Sequence, residues 1–361
     1  MADTRPASPF ETAAVRPPQD EALGVRFALI LRSRPTAGVS KGERSRREAA
    51  SSSDQRSLSV MCGIAGLFLK SEALRPRLGA LFSPMLREMS DRGPDSAGIA
   101  VYRPGAAQAA CKLSLYAADP ATDWDALAAD LGSAFGLAAR VERIASHAVI
   151  SVDGGRPAEL RAWLLAERPE VRVMSAGHSL EIYKEIGRPA EVLERFAVPQ
   201  MAGSHAIGHT RMATESAVTT EGAHPFNTGD DLCLVHNGSL SNHHQVKRWL
   251  QRTADARFQT ENDSEVAAGY LTYRLSEGAG IGEALQAALK DLDGFYTFAV
   301  GTGEGFAVLR DPIACKPAVL AETDEWVAMA SEFRAIARLP GVESAKVWEP
   351  APGQVYTWGR A

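Results

Sequence analysis

Sustained hydrophobic periodicity in this chain begins abruptly at Met61, and that boundary constrains the fold more than any other feature. The preceding residues, 1–60, are rich in Ala, Arg, Ser and Pro. They carry Pro17-Pro18, Ser51-Ser52-Ser53 and the basic cluster Arg44, Arg46 and Arg47, with no period of 2 or 3.6. Such a stretch cannot bury enough apolar surface to offset its ordering entropy. A mitochondrial-type targeting peptide, a cleaved propeptide and translated upstream sequence before a start at Met61 all fit it. Seven acidic residues among these sixty argue against targeting, and the sudden change of texture favours the start at Met61. Residues 1–61 are expected to be a disordered leader, a propeptide or a mis-assigned start, with the folded domain spanning 62–361.

From Cys62 to Leu69 the chain is apolar, short and followed by a charged turn, which reads as a buried strand. Leu78, Leu81, Met85 and Met89 then recur at three- and four-residue steps, predicting a helix that Asp91-Arg92-Gly93-Pro94 ends. A second strand is expected over 97–102. Residues 104–203 alternate helical patterns (124–135, 158–167, 190–196) with short strands (148–152, 171–175), as an inserted α/β subdomain would. Strand texture returns at 206–210 and 232–236. Ser241 is placed to cap a helix through Leu250, Asp263 to begin another, and 281–292 to form a third. Further strands are expected at 295–300, 305–309, from Ala318, because Pro317 cannot donate to a ladder, at 326–330 and at 355–358. Helices together with many short, hairpin-linked strands predict an α+β fold, an antiparallel sandwich between helical layers.

Charge and cysteine usage narrow the class of partner. With 39 Lys+Arg against 44 Asp+Glu and a formal net charge of -5, the chain offers no basic field for phosphate backbones, so nucleic acid is not expected as a partner. The longest apolar run before Met61, Phe27 to Leu31, is far shorter than the ~18 residues of a membrane span, so no membrane association is expected. Cys62, Cys111, Cys233 and Cys315 stand singly, without zinc-ligand or disulfide spacing, which fits a reducing cytoplasm and no metal. Cys111, Cys233 and Cys315 are expected to act as small core or near-core hydrophobes, and His243-His244 to face solvent.

Several short segments carry chemistry. Loss of Met61 ahead of Cys62-Gly63 would leave Cys62 as the N-terminus. An α-amine with a reference pKa of about 7.7–8.0 beside a thiol near about 8.5 places base and nucleophile on one residue. An internal Cys62 has only an amide nitrogen and lacks that base; as such it would be a structural strand cysteine. Arg211, just after a strand, can clamp a carboxylate with two parallel hydrogen bonds or make an ordinary surface ion pair. Asn237-Gly238 leaves a strand with a side-chain amide donor and a sterically open backbone N–H, which suits an oxyanion hole and equally suits a turn. Asp263 can bind an ammonium group or merely cap its helix.

Taken jointly and in order, Met61-Cys62-Gly63-Ile64, Asp91-Arg92-Gly93-Pro94-Asp95-Ser96, the Arg211 segment, His236-Asn237-Gly238, Asp263 and Arg310-Asp311-Pro312 resemble the class II glutamine amidotransferases. The resemblance covers 62–361 apart from the insertion, and implies the four-layer αββα sandwich of N-terminal-nucleophile hydrolases. It further implies that Cys62 attacks the glutamine side-chain amide, Asn237 and Gly238 hold the oxyanion, Arg211 and Thr214 bind the α-carboxylate, and Asp263 binds the α-ammonium.

Fewer than one hundred residues follow Asp263, too few for an acceptor domain, so the chain resembles a stand-alone subunit serving a partner synthase. The insertion, Ser179 to Lys184 and Thr214 to Thr219 look most like the glutamate-synthase-related subunit of N-methylglutamate synthase. By that likeness this chain carries no cofactor, and flavin and iron-sulfur groups belong to partner subunits. Glu215 departs from the neutral residue many relatives have after the matching threonine, which bears on whether glutamine or a related amino acid is the substrate. A catalytically silent scaffold subunit and a partner-free glutaminase are the alternatives.

Overall fold

The structure, a computed structural model, describes residues 62–103, 110–212 and 218–359. The chain opens with strand β1 (Gly63–Leu69), buried along almost its whole length. A first helix, α1 (Leu78–Glu88), follows. Its buried Leu78, Leu81, Phe82, Met85 and Leu86 recur at the spacing that puts one face against a sheet. Next come β2 (Ser96–Tyr102), β3 (Ala110–Ala117), α2 (Trp124–Phe135), β4 (Ala139–Ile144), β5 (His147–Asp153), α3 (Pro157–Glu167), β6 (Val171–Gly177), β7 (Leu180–Ile186) and α4 (Pro189–Arg195). Strands β8 (His205–Arg211) and β9 (Cys233–Leu240) precede α5 (His243–Ala254), α6 (Asp263–Ser276) and α7 (Ile281–Asp291). The chain continues through β10 (Gly294–Gly301), β11 (Gly305–Arg310), β12 (Val319–Glu322), β13 (Trp326–Ala330), α8 (Phe333–Ile336), β14 (Lys346–Trp348) and β15 (Val355–Gly359).

Among the described residues these strands form three sheets, ordered β14-β12-β13-β1-β8-β2-β7, β15-β11-β10-β9 and β4-β5-β3-β6. The first two face one another across Ile64, Ile182, Ile207, Val235, Ala299, Val308 and Met329. On the outer face of the first sheet, Leu67, Ile99 and Ala328 pack against the apolar side of α1, while α6 and α7 cover the second sheet. The layers therefore run helix, sheet, sheet, helix, which is the αββα order expected. Each fully buried side chain of this interior, such as Phe82 or Phe298, stabilises the fold by about 1.5–3 kcal/mol through the area it removes from water.

The described part of the expected insertion, residues 110–203, divides between two places. Those from Ala110 to Gly177 build the third sheet and its helices, with their own interior around Leu113, Leu131, Ile150, Leu160 and Val173. There α2 starts where the Asp123 carboxylate accepts the N–H groups of Asp125 and Ala126, and ends at Gly136 with φ +65°, the left-handed conformation glycine favours. In contrast, β7 returns to the first sheet and pairs antiparallel with β2. Buried Glu181 on β7 joins the two regions: its carboxylate pairs with Lys112 of β3 at 2.6 Å and with Arg103 at 3.1 Å, and accepts the Tyr183 hydroxyl at 2.8 Å.

Three sequence expectations need correction. Ser241 does not cap α5; Asn242 occupies that position, and the Ser241 hydroxyl instead donates to Asp293. Strands β3, β4, β7 and β14 are absent from the expected elements; in the first three, polar Lys112, Ser114, Arg140, Glu142, Arg143, Glu181, Lys184 and Glu185 interrupt the apolar signal. Cys315 is exposed rather than near the core, whereas Cys111 and Cys233 are buried.

A close approach inside the first sheet yields a test. Gly98 of β2 lies so near the next layer that a Cβ would come 2.0 Å from the His224 carbonyl oxygen and 2.6 Å from Lys184 Cβ. Because the first obstacle is backbone, Gly98→Ala is expected to cost about 1–3 kcal/mol in urea unfolding, as overpacking does. An unchanged midpoint would contradict this packing.

Candidate active site

Cys62 stands immediately before β1, between β8 and β13 in the middle of the first sheet. Its position is set through the backbone. The Cys62 carbonyl accepts Asn237 Nδ2–H at 2.9 Å and Arg92 Nε–H at 3.2 Å. The following N–H groups are also taken by side chains, Gly63 donating to Thr210 Oγ1 at 3.2 Å and Ile64 to Ser331 Oγ at 2.9 Å. Arg92 is itself oriented by Glu332 at 2.7 Å. The thiol is half-buried and lies 3.8 Å from the Met212 carbonyl oxygen. The charged turn before β2 reaches this point because Gly93 is bare: a Cβ there would come 2.5 Å from the Thr210 carbonyl oxygen.

Asn237 and Gly238 lie on β9, opposite Thr297 and Tyr296 of β10. Asn237 is buried and Gly238 exposed. Glycine is required at 238 on two counts: φ is +148°, and a Cβ would sit 1.9 Å from the Phe295 carbonyl oxygen. The amide donor thus projects at the Cys62 carbonyl from a strand whose twist only glycine permits.

Asp263 is the first residue of α6, but the cap is its neighbour Asn262, whose Oδ1 accepts Ser264 N–H at 2.9 Å. Asp263 is spent differently. Its Oδ2 accepts Leu240 N–H at 2.9 Å, its Oδ1 accepts the Ser264 hydroxyl at 3.3 Å, and that oxygen lies 3.7 Å from His236 Nδ1. The carboxylate keeps 22% exposure, so an ammonium group can reach it. Buried Arg211 ends β8 and donates from Nη1 to the Gly222 carbonyl at 3.4 Å, while Asn262 Nδ2 donates to that same oxygen at 3.4 Å. One carbonyl therefore brings the candidate carboxylate clamp beside the start of α6. Thr214 and Glu215 lie outside the described residues.

Other groups complete the site without having been assigned a role from sequence. Lys184 donates to the carbonyls of Glu221, Ala223 and Pro225 at 3.0, 2.8 and 3.2 Å and lies over the Phe226 ring, and burial pushes its ammonium down to about 8. Its strand carries Glu181, Lys184 and Glu185 among seven residues, so no local pattern marked the lysine. Ser331 and Ser264 had none either. Arg310 ends β11, and the chain turns after it: the fully buried Asp311 carboxylate accepts the N–H groups of Ile313 and Ala314. Among the described residues no group of three His, Cys, Asp or Glu side chains is arranged to hold a metal, and no helix is long and apolar enough to cross a membrane.

Comparison with known proteins identifies the family. Residues 209–338 match the glutamine amidotransferase domain family. Over 298 residues the chain is 58% identical to the glutamine amidotransferase-like protein GlxB of Rhizobium meliloti (strain 1021), spanning 82% of this chain and 98% of that protein. It is 32% identical to a putative glutamine amidotransferase of Methanothermobacter thermautotrophicus over 82% of this chain and 98% of the relative. The solved glutamine phosphoribosylpyrophosphate amidotransferase of B. subtilis shares the fold with a TM-score of 0.52 at 21% identity. That alignment takes in 82% of this chain and 47% of the other, so this chain spans about half its length.

Three buried histidine rings follow one another from Asn237: His209 bonds it, His224 stacks on His209, and His236 lies 6.5 Å from His224. Burial pushes His209 down to about 3 and holds His224 well below, and His236 below, the usual imidazole range. An unfolded chain takes up these protons near about pH 6.5 while the folded one does not. Stability from these rings is thus full above that pH and declines as pH falls toward 3 for His209. Urea midpoints are expected to drop between neutral and mildly acid pH, each ring supplying up to about 1.4 kcal/mol per pH unit. His209→Gln should flatten that slope by one ring's share; an unaltered slope would contradict the assignment.

Proposed function

Since the chain belongs to the class II glutamine amidotransferases, we propose that it cleaves the side-chain amide of glutamine through a Cys62 thioester and delivers the nitrogen to a partner synthase. The observation that carries this reading is the 2.9 Å bond from Asn237 Nδ2 to the Cys62 carbonyl, which puts an amide donor beside the only residue that can combine thiol and terminal amine.

The chemistry follows from the residue types. The Cys62 α-amine, once freed from residues 1–61, accepts the thiol proton as sulfur bonds to the amide carbon. The carbonyl oxygen takes up the electron pair, and Asn237 Nδ2–H with Gly238 N–H stabilises the resulting oxyanion. The pair returns, the C–N bond breaks, and the ammonium transfers its proton to the departing nitrogen, which leaves as ammonia. Water then adds to the thioester by the same route, releasing glutamate and the thiol. Arg211, with Thr214, holds the α-carboxylate, and Asp263 the α-ammonium; these contacts select an α-amino acid whichever group is cleaved. Glu215, close in sequence to the carboxylate clamp, bears on the choice between glutamine and a related amino acid.

The partner in this proposal is a glutamate synthase-like enzyme or N-methylglutamate synthase, with flavin and iron-sulfur groups on its other subunits and assembly in the cytoplasm. Similarity to a glutamine amidotransferase-like protein over nearly that relative's full length supports a reading in which this domain serves as a subunit. Full-length protein matured to Cys62 is expected to release ammonia and glutamate from glutamine, and faster with its partner present. Cys62→Ala should abolish release without moving the unfolding midpoint. Arg211→Lys should mainly raise KM, because the two-pronged grip on carboxylate is lost. Ammonia release that persists in Cys62→Ala contradicts the nucleophile, and full activity without any partner favours a free-standing glutaminase.

A further inference from the structure

We propose that His209 is a positioning residue: by donating from Nε2 to Asn237 Oδ1, it fixes which end of the Asn237 carboxamide faces Cys62. This deepens the glutaminase reading and rests on it.

The two ends of a primary amide are nearly alike in shape and opposite in function. As placed, Asn237 Nδ2 donates to the Cys62 carbonyl at 2.9 Å and lies 3.4 Å from Ser331 Oγ, so the donor end faces the nucleophile. Turned over, the side chain would set Oδ1 against the Cys62 carbonyl, two acceptors in contact, and the oxyanion would lose its side-chain donor. Asn237 is buried, and His209 Nε2 lies 3.1 Å from its Oδ1. That oxygen can only accept, so the ring carries its proton on Nε2. The other nitrogen, His209 Nδ1, is buried without a hydrogen-bond partner. A bare acceptor is tolerable there.

The ring cannot swing away. His209 lies on β8 with Ile64 of β1 opposite it on one side and Gly98 of β2 on the other. His224 covers its face, ring centroids 4.1 Å apart and planes 30° from parallel. His224 is tied in turn, its Nε2 lying 2.7 Å from Ser264 Oγ, which is 2.9 Å from His236 Nδ1. One hydroxyl hydrogen cannot serve both rings, so at least one of them donates to Ser264. A continuous set of contacts thus runs from the start of α6 through Ser264, His224 and His209 to the amide at the nucleophile. Two charged rings in so close a stack would repel one another.

Two measurements on the full-length protein, matured to Cys62, test the inference. Nitrogen NMR of histidine-labelled wild type needs no turnover and is expected to show His209 as the Nε2–H tautomer at neutral pH. The Nδ1–H tautomer or an imidazolium would overturn the inference. Steady-state kinetics on glutamine supply the second arm. His209→Leu is expected to lower kcat about 100-fold, the order seen when an oxyanion donor is lost, with KM within about threefold. His209→Gln, whose side-chain amide can still donate, should recover kcat to within about tenfold of wild type. A folded His209→Leu that keeps its kcat, a loss confined to KM, or a folded Gln variant no better than Leu would each overturn it. Wild type that shows the Nε2–H tautomer yet releases no ammonia would sink the glutaminase reading and leave the orientation of Asn237 standing.

Discussion

The carbonyl oxygen of Cys62 is the point on which the rest of the site depends. It takes one hydrogen bond from Asn237 of the second sheet and one from Arg92 of the turn before β2. Because these restraints act on the carbonyl and on the following N–H groups, they would survive if the chain began at Cys62. The αββα architecture serves this arrangement: β1 lies centrally in one sheet, and β9 of the facing sheet brings the amide across.

Burial of polar groups is extensive around that point, and the charged ones that shape the substrate side are paired. Lys184 donates to three carbonyls of the 221–225 segment. Gly222 in the same segment receives both Arg211 and Asn262. Removing a partner from such a group leaves a donor or acceptor dry, which costs about 1–3 kcal/mol and more for a charge. The segment that links the two ends of the candidate substrate site is thereby fixed by a lysine on β7, a strand contributed by the region expected to be an insertion. Glu181, three residues earlier, clamps the third sheet through Lys112. The additional sheet is therefore coupled to the strand that supports the site.

Much of the fold was legible because apolar spacing survives in its central elements. Helix 124–135 was read with its observed bounds, and strands 206–210, 295–300 and 326–330 to within a residue or so, since their interiors are uninterrupted. Strands β3 and β4 were not, because Lys112 is a buried ion-pair partner and β4 is an edge strand whose alternate side chains are charged. In the candidate site, single segments were ambiguous and became informative only in combination. His236-Asn237-Gly238 looks like a turn in isolation, yet it is strand, with Gly238 forced by the Phe295 carbonyl. Asp263 was offered as a cap or an ammonium ligand; the cap belongs to Asn262. Ser264, Ser331 and the stacking of His209 on His224 could not be read at all, because they arise from contacts between distant segments and carry no local pattern.

The central claim is that one chain end supplies both sulfur and base. Its most direct test is peptide mapping by mass spectrometry of native protein quenched during turnover with glutamine. The account predicts a γ-glutamyl thioester on a peptide that begins at Cys62 with a free amine. An adduct on another residue, or one on a peptide that extends upstream through Met61, would contradict it.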